Sequence, residues 1–488
     1  MKRTTILCAS VMALVAIMLL PTVASADTLD AAGAGRLADS VGINSMWVIV
    51  AGVLVMFMQA GFAFLEIGFS RGKNAGTVVA KVLMNFSIAG LAYWAVGFAL
   101  AFGGLGDLWG NTGWFLHDFG DPQKAFPVMG LSDATVEAKW FFQFVFCAVS
   151  LAIVWGTTLE RIKFGVYAIY AVIFAAVIYP IGSHWVFGGG WLQSNLGMQD
   201  FAGSTAVHLI GATGALAVLL HLGPRRGKYG PDGKPRAIPG HNMPLFGLSI
   251  FILWLGWFGF NPGSTLGALD GRFTEVVVTT QLAACAGVLM AIVTSRLLLK
   301  TIDIGMAGNG AIAALVAITA PSGYVVPWAA VVIGAVAGVL VVVSVIAIDK
   351  KLDDPVGALS AHGIAGVWGT LACGLFTNPD LAAYNAFGEG GLVYTGSFHQ
   401  LGVQALGVVT VFGFVFVASY IVFGAIKATY GLRVTAEEEA AGLDISEHGM
   451  YGYPEQFIPA PELIGVGSIQ RPVGASAAPG LNPSEVPA

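Results

Sequence analysis

Apolar residues along this chain fall in long unbroken runs, not in the short alternations that mark half-buried elements of a soluble domain. A run of about 20 apolar residues is long enough to cross the hydrocarbon core of a bilayer as a helix. Eleven runs of this kind predict an all-α polytopic membrane protein, with helices at roughly 45–69, 78–103, 140–159, 164–182, 201–222, 243–262, 274–297, 303–320, 325–348, 356–377 and 401–427. The eighth is short and glycine-rich, but without it the charges between runs no longer alternate. One set of loops holds Arg71, Lys73 and Lys81, then Arg161 and Lys163, a basic stretch from Arg225 to Arg236, Arg296 and Lys300, Lys350 and Lys351, and the tail from Lys427. The opposite set holds only Arg36, Lys124, Lys139 and Arg272. Basic loops stay in the cytoplasm, so the mature N-terminus is expected outside and the C-terminus inside.

The first apolar run, at 6–20, is shorter. Lys2 and Arg3 precede it and Ala24-Ser25-Ala26 follows, the layout of a secretory signal peptide cleaved after Ala26. An extra, uncleaved helix is the other reading, and the short apolar centre counts against it. The expected divisions are a leader (1–26), a membrane domain (27–430), a polar cytoplasmic tail (431–450) and a mostly disordered extension (451–488), Ala/Pro/Ser-rich from Gly474. Only 10% of residues are charged, against about a quarter in soluble domains. The 66 glycines suit helices packed closely in lipid. A net charge of -5 with no basic patch outside the loops argues against a nucleic-acid partner. Cys8 lies in the leader and the other three cysteines in apolar runs, so no disulfide, thiolate metal site or cofactor is expected.

Two histidines break the apolar pattern. His208 follows Asp200 by eight residues in the fifth run, and His362 follows Asp354 by eight in the tenth. An ionisable group in a membrane span is costly and marks a functional site by default. The fifth run is read outside to inside and the tenth inside to outside, with each histidine about six residues in, roughly 9 Å at the helical rise. That predicts a five-plus-five inverted repeat with the site at its interface and an eleventh helix beyond it. No third ligand shares these faces, so a metal is set aside. A proton relay and a polar lining for an apolar pore both remain. Asp200 can cap its helix and also attract a cation to the entrance. Asp353 and Asp354 precede Pro355 at a helix start and read as structural. Glu66 and Glu160 read as loop anchors near Arg71 and Arg161. Phe142 and Phe146 share a helical face at the outer end of the third run. Phe187 precedes three glycines in an outer loop, and Trp257, Phe258 and Phe260 crowd the outer half of the sixth run. Aromatic faces of this kind can hold a cation.

Four stretches together resemble the ammonium transporter family (Amt/Mep/Rh). They are Met58-Gln-Ala-Gly-Phe-Ala-Phe-Leu-Glu66, Asp200 to His208, Gly256-Trp-Phe-Gly-Phe-Asn-Pro-Gly-Ser264 and Asp353-Asp-Pro to His362-Gly. The tail from Gly431-Leu-Arg-Val434 to Gly449 is similar to the bacterial Amt branch. The likeness runs from about residue 44 to 450. It implies a homotrimer of eleven-helix subunits in lipid, each with its own pore for ammonium or methylammonium. It places Phe146, Phe187, Ser264 and Asp200 at an outer recruitment site, Phe142 and Phe260 in a stacked phenyl gate, and His208, His362 and Trp257 along the pore. It implies a PII-type signalling protein as a cytoplasmic partner, and a bacterial inner-membrane location. The family pattern has tryptophan where Phe187 stands in His184-Trp-Val-Phe-Gly-Gly-Gly190, and phenylalanine is the weaker cation–π partner. The alternatives on one scaffold are a non-conducting ammonium sensor, disfavoured by the lack of an output domain, and an Rh-like gas channel, disfavoured by the tail.

Overall fold

The computed structural model describes residues 39–117 and 122–457. The expected leader and most of the expected extension lie outside them, as do residues 118–121 between the second and third apolar runs. Among the described residues the regular elements are all helices, joined by loops that carry two isolated backbone bridges, Ile162 with Arg433 and Tyr229 with Pro235. Ten helices among the described residues are long and apolar enough to cross a membrane. In chain order they are α1 (Ser40–Phe69), α2 (Gly72–Phe102), α3 (Val136–Thr158), α4 (Phe164–Ser194), α5 (Ser204–Leu222), α6 (Met243–Thr265) and α7 (Arg272–Leu299), then α9 (Pro327–Asp349), α10 (Leu359–Phe376) and α11 (His399–Thr429). Between α7 and α9 lies α8 (Ile304–Thr319), an apolar helix of 16 residues.

The eighth apolar run is weak because of where its helix sits. Every residue of α8 from Asn309 to Thr319 is buried among other helices. Its glycines and alanines admit neighbouring backbones, and it needs no bulky face toward lipid. In α4 the helical region outlasts the apolar run, which was expected to end near 182. The His184 ring supplies the reason: its two nitrogens face the backbone carbonyls of Ala101 and Gly106, and one ring N–H donates there, so a polar residue is held inside the fold.

Helices α1 and α6 pack closely, and glycines set the approach. A Cβ added to Gly259 would lie 2.3 Å from the Ala51 carbonyl oxygen, and one on Gly61 would lie 2.7 Å from Leu253. At Gly259 the clash is with backbone, so only glycine fits there, and at Gly61 a larger residue would have to displace the Leu253 side chain.

On the basic face, charged loops lock together. Glu160 accepts the Arg71 backbone N–H at 2.8 Å and its Nε at 2.6 Å. Asp353 accepts Arg225 N at 2.7 Å, Nε at 3.0 Å and Nη2 at 2.9 Å. Buried Arg161 donates to the carbonyls of Gly223 and Asp353. Burial pulls its pKa down to about 10 against the opposing charge of Asp353, so it stays cationic at neutral pH. One expectation needs correction: Glu66 does not anchor a loop at Arg71. Helix α2 begins at Gly72 and carries Lys81 inside the bundle, where the two side chains form a fully buried ion pair. Arg71 turns to Glu160 instead.

The tail docks on this face of its own chain. Val434 donates to the Arg161 carbonyl at 3.1 Å. Glu439 accepts Arg226 N at 2.8 Å and Arg433 Nη2 at 2.7 Å. Asp444 accepts Gly76 N at 3.0 Å and Thr77 N at 2.8 Å, capping the start of α2.

Candidate functional site

The repeated Asp-x7-His spacing is one local structure used twice. Asp200 Oδ1 accepts the backbone N–H groups of Gly203 (2.7 Å) and Ser204 (3.0 Å), and Oδ2 those of Thr205 (2.8 Å) and Ala206 (3.0 Å). Asp354 accepts those of Gly357 (3.0 Å) and Leu359 (2.8 Å). Each cap includes a glycine at positive φ, 121° at Gly203 and 75° at Gly357. Each is followed by a π-helical turn, Ser204–Leu209 and Leu359–Ile364. Such wide turns recur at functional sites. The two turns bring His208 and His362 together, with Nδ1 atoms 3.2 Å apart and rings 5.2 Å apart, nearly parallel at 16°. With both rings neutral, one Nδ1–H donates to the other Nδ1, so the pair shares a single hydrogen. The Nε2 of His208 is buried with no hydrogen-bond partner among the described residues.

Aromatic rings extend this pair in both directions. Trp257 stacks on His208 at 5.3 Å and 16°, and its Nε1 donates to Thr319 Oγ1 of α8 at 2.9 Å. Phe260 lies 5.4 Å from His208. Phe146 stacks on Phe260 at 4.0 Å and 16°, and Phe142 packs on Phe146 at 4.5 Å. The ring face to face with Phe260 is therefore Phe146, one helical turn from the Phe142 that the sequence nominated. On the other side Phe62 of α1 lies 6.3 Å from His362. The column Phe142, Phe146, Phe260, His208, His362, Phe62 crosses the bundle interior, and its members are all buried. Rings 4.0 Å apart leave no room for a molecule between them.

The remaining nominated residues stand outside the stack of rings. Ser264 is half-buried at the end of α6 and donates to the Phe260 carbonyl at 2.9 Å, which leaves its oxygen lone pairs free for a donor. Phe187 is half-buried in α4, and no ring contact among the described residues joins it to the stack. Asp200 has both oxygens committed to backbone N–H groups. Phe62 and Thr319 went unread in the sequence. Phe62 carried one available signal, the Gly61-Phe62 pair that matches Gly259-Phe260 of the other half.

A bilayer-sized helical bundle with paired histidines on an aromatic column narrows the comparison with known proteins. The model of the Ammonium Transporter Family matches residues 46–453. The chain belongs to the ammonium transporter family. Ammonium transporter Amt2 of Archaeoglobus fulgidus is 43% identical over 434 residues, which cover 86% of this chain and 90% of that protein. The ammonium transporter of Bacillus subtilis strain 168 is 32% identical over 417 residues, covering 85% of this chain and 99% of its own. Among solved structures, a sensor Amt protein superposes with a TM-score of 0.76 at 37% identity, covering 83% of this chain and 98% of that one. Candida albicans Mep2 gives 0.73 at 27% identity, covering 81% and 87%. The curated relatives of this ammonium transporter family member are named transporters, not enzymes, and membership supports ammonium transport.

Proposed function

We propose that this chain binds ammonium at an outer mouth, removes a proton there, and passes ammonia along the aromatic column and over the histidine pair. The observation that carries the reading is the 3.2 Å contact between His208 and His362 at the centre of an otherwise apolar path. An intact ion pays heavily to leave water for such a path, and a neutral amine much less. A shared-hydrogen imidazole pair offers ammonia a donor and an acceptor without a fixed charge. Phe146, Phe187 and Ser264 supply ring faces and a hydroxyl oxygen for the cation at the mouth, and Asp200 adds negative potential behind them. Phe142, Phe146 and Phe260 form the gate, and Trp257 holds the His208 ring in plane. The basic loops support a cytoplasmic position for the docked tail. The mature N-terminus is then outside, after removal of residues 1–26. The protein assembles as a homotrimer of eleven-helix subunits in the bacterial inner membrane, and a PII-type protein engages its cytoplasmic face. A sensor is the second reading, favoured by the 37% identity to a sensor Amt protein and by the closed Phe146–Phe260 stack.

Ammonium pulses on reconstituted protein separate these readings, since a transporter gives flux and a sensor gives none. A current shows a proton travelling with the ammonia, and its absence alongside flux shows electroneutral conduction. Replacing His208 or His362 with alanine should leave folded protein with altered ammonium flux or new permeability to other cations. Lower stability with unchanged flux per folded protein at both positions would reduce the pair to packing.

A further inference from the structure

Two helices approach the histidine pair with the same short pattern, from opposite faces of the bundle. In α6 it is Gly259-Phe260-Asn-Pro-Gly-Ser264, and in α1 it is Gly61-Phe62-Ala-Phe-Leu-Glu66. Each glycine sits where the partner helix comes close, and each phenylalanine lies against one histidine. Helix α1 ends at the basic face and α6 begins there, so the two patterns point opposite ways. Ser264 and Glu66 therefore lie at matched positions, each about 6 Å along its helix from its phenylalanine at the helical rise, one toward each end of the column.

The position of Glu66 opens onto space. A narrow cavity of about 20 Å³ lies beside His362, lined by Phe62, Glu66, Gly156, Asn309 and Val356 among others. That is room for one molecule the size of water or ammonia. Lys81 is the one donor to the Glu66 carboxylate among the described residues, and both side chains are almost wholly buried, at 1% and 2% exposure. A carboxylate offers about four acceptor positions, so one lysine does not saturate it. Ammonium only donates hydrogen bonds, and the Lys81 head group already seated on Glu66 is the same chemical type, a compact nitrogen cation. A buried ion pair is weak as a source of stability, so its place against the pore calls for another account.

We infer that Glu66, held by Lys81, binds ammonium at the cytoplasmic end of the path, as the inner counterpart of Ser264. This deepens the conduction reading and rests on it. The test compares ammonium entry into right-side-out and inverted membrane vesicles. The variant Glu66→Gln/Lys81→Met removes both charges and leaves neither unpaired. Half-saturating ammonium for entry from the cytoplasmic face should rise about tenfold, the loss of one hydrogen bond to a charged group, while the outer value stays put. Glu66→Asp keeps the pair but draws the carboxylate back from the cavity, and should give a smaller shift on the same side. Values unchanged on both faces, or rising together, would overturn the site. If the wild type carries no ammonium in either direction, the conduction reading falls, and equilibrium ammonium binding to solubilised protein decides the site. One bound ion fewer per chain in the double variant upholds it, and an unchanged number overturns it.

Discussion

At the scale of single residues, ring identity and ring order set what the path can do. Phe187 presents a smaller, less electron-rich face than tryptophan. Phe187→Trp should strengthen cation binding by roughly 0.5–1 kcal/mol at a part-exposed site, lowering half-saturating outer ammonium about two- to fivefold. An unchanged or higher value in uptake kinetics would show that this ring does not meet the substrate. The histidines, Trp257 and the aromatics were legible in the sequence because polar and bulky residues stand out in apolar runs. Their stacking order was not. Phe142 and Phe146 share one helical face, and only the packed position of α6 determines that Phe146 meets Phe260. Glu66 misled for a related reason: it stands near Arg71 in sequence, and its partner Lys81 reaches it only because α2 starts early and folds back along α1.

At the scale of elements, the apolar runs gave order and approximate ends, since the bilayer imposes length on each span. The π-helical turns were hidden, because a change in backbone hydrogen bonding leaves the apolar pattern intact. They are what aim the histidines. His208 N–H bonds Gly203 O, five residues back, at 3.1 Å. Gly203 holds φ 121°, and an added Cβ would lie 2.7 Å from Val207. Gly203→Ala should therefore cost roughly 1–3 kcal/mol of stability and reduce ammonium flux per folded molecule as the His208 turn shifts. An unchanged melting temperature with full flux would show that the turn tolerates a side chain. The loop into α10 is held by charge. Burial alone would raise the Asp353 carboxyl, but its Arg225 hydrogen bonds and the Arg161 and Arg225 charges outweigh that and hold it below the usual range. A carboxyl depressed in the folded state contributes stability that is fully present above its unfolded pKa, near 4, and is lost as pH falls through the folded value. Melting temperature should thus drop on acidification below about pH 4, and this contribution to the drop should vanish in Asp353→Asn. An identical acid limb in that variant would assign the loss to other groups.

At the scale of the whole molecule, the tail ties together loops that carry the ends of several helices. Its contacts reach the α3–α4 loop through the Ile162–Arg433 bridge, the α5–α6 loop through Arg226 and the start of α2 through Asp444. The α5–α6 loop also holds Asp353 through Arg225, and Asp354 beside it caps the turn that bears His362. Hydrogen bonds between neighbouring residues thus connect the tail to the turn that bears His362. The sequence showed a polar segment too short to fold alone, which had to dock somewhere. Which loops receive it depends on carbonyls and backbone N–H groups that no side-chain pattern reports. Truncation after Tyr430 removes these contacts and uncaps α2 while leaving every span in place. The membrane core should still assemble, with a lower melting temperature, lower ammonium transport and loss of control by a PII-type protein. Asp444→Ala, which removes the cap together with a 2.9 Å bond from Gly452 N–H inside the tail, should cost about 1 kcal/mol and produce part of the same transport loss. Size-exclusion chromatography, melting curves and uptake with and without PII protein measure these effects separately. A truncated protein that transports normally and still binds PII protein with full affinity would leave the tail a structural strap, with no part in regulation.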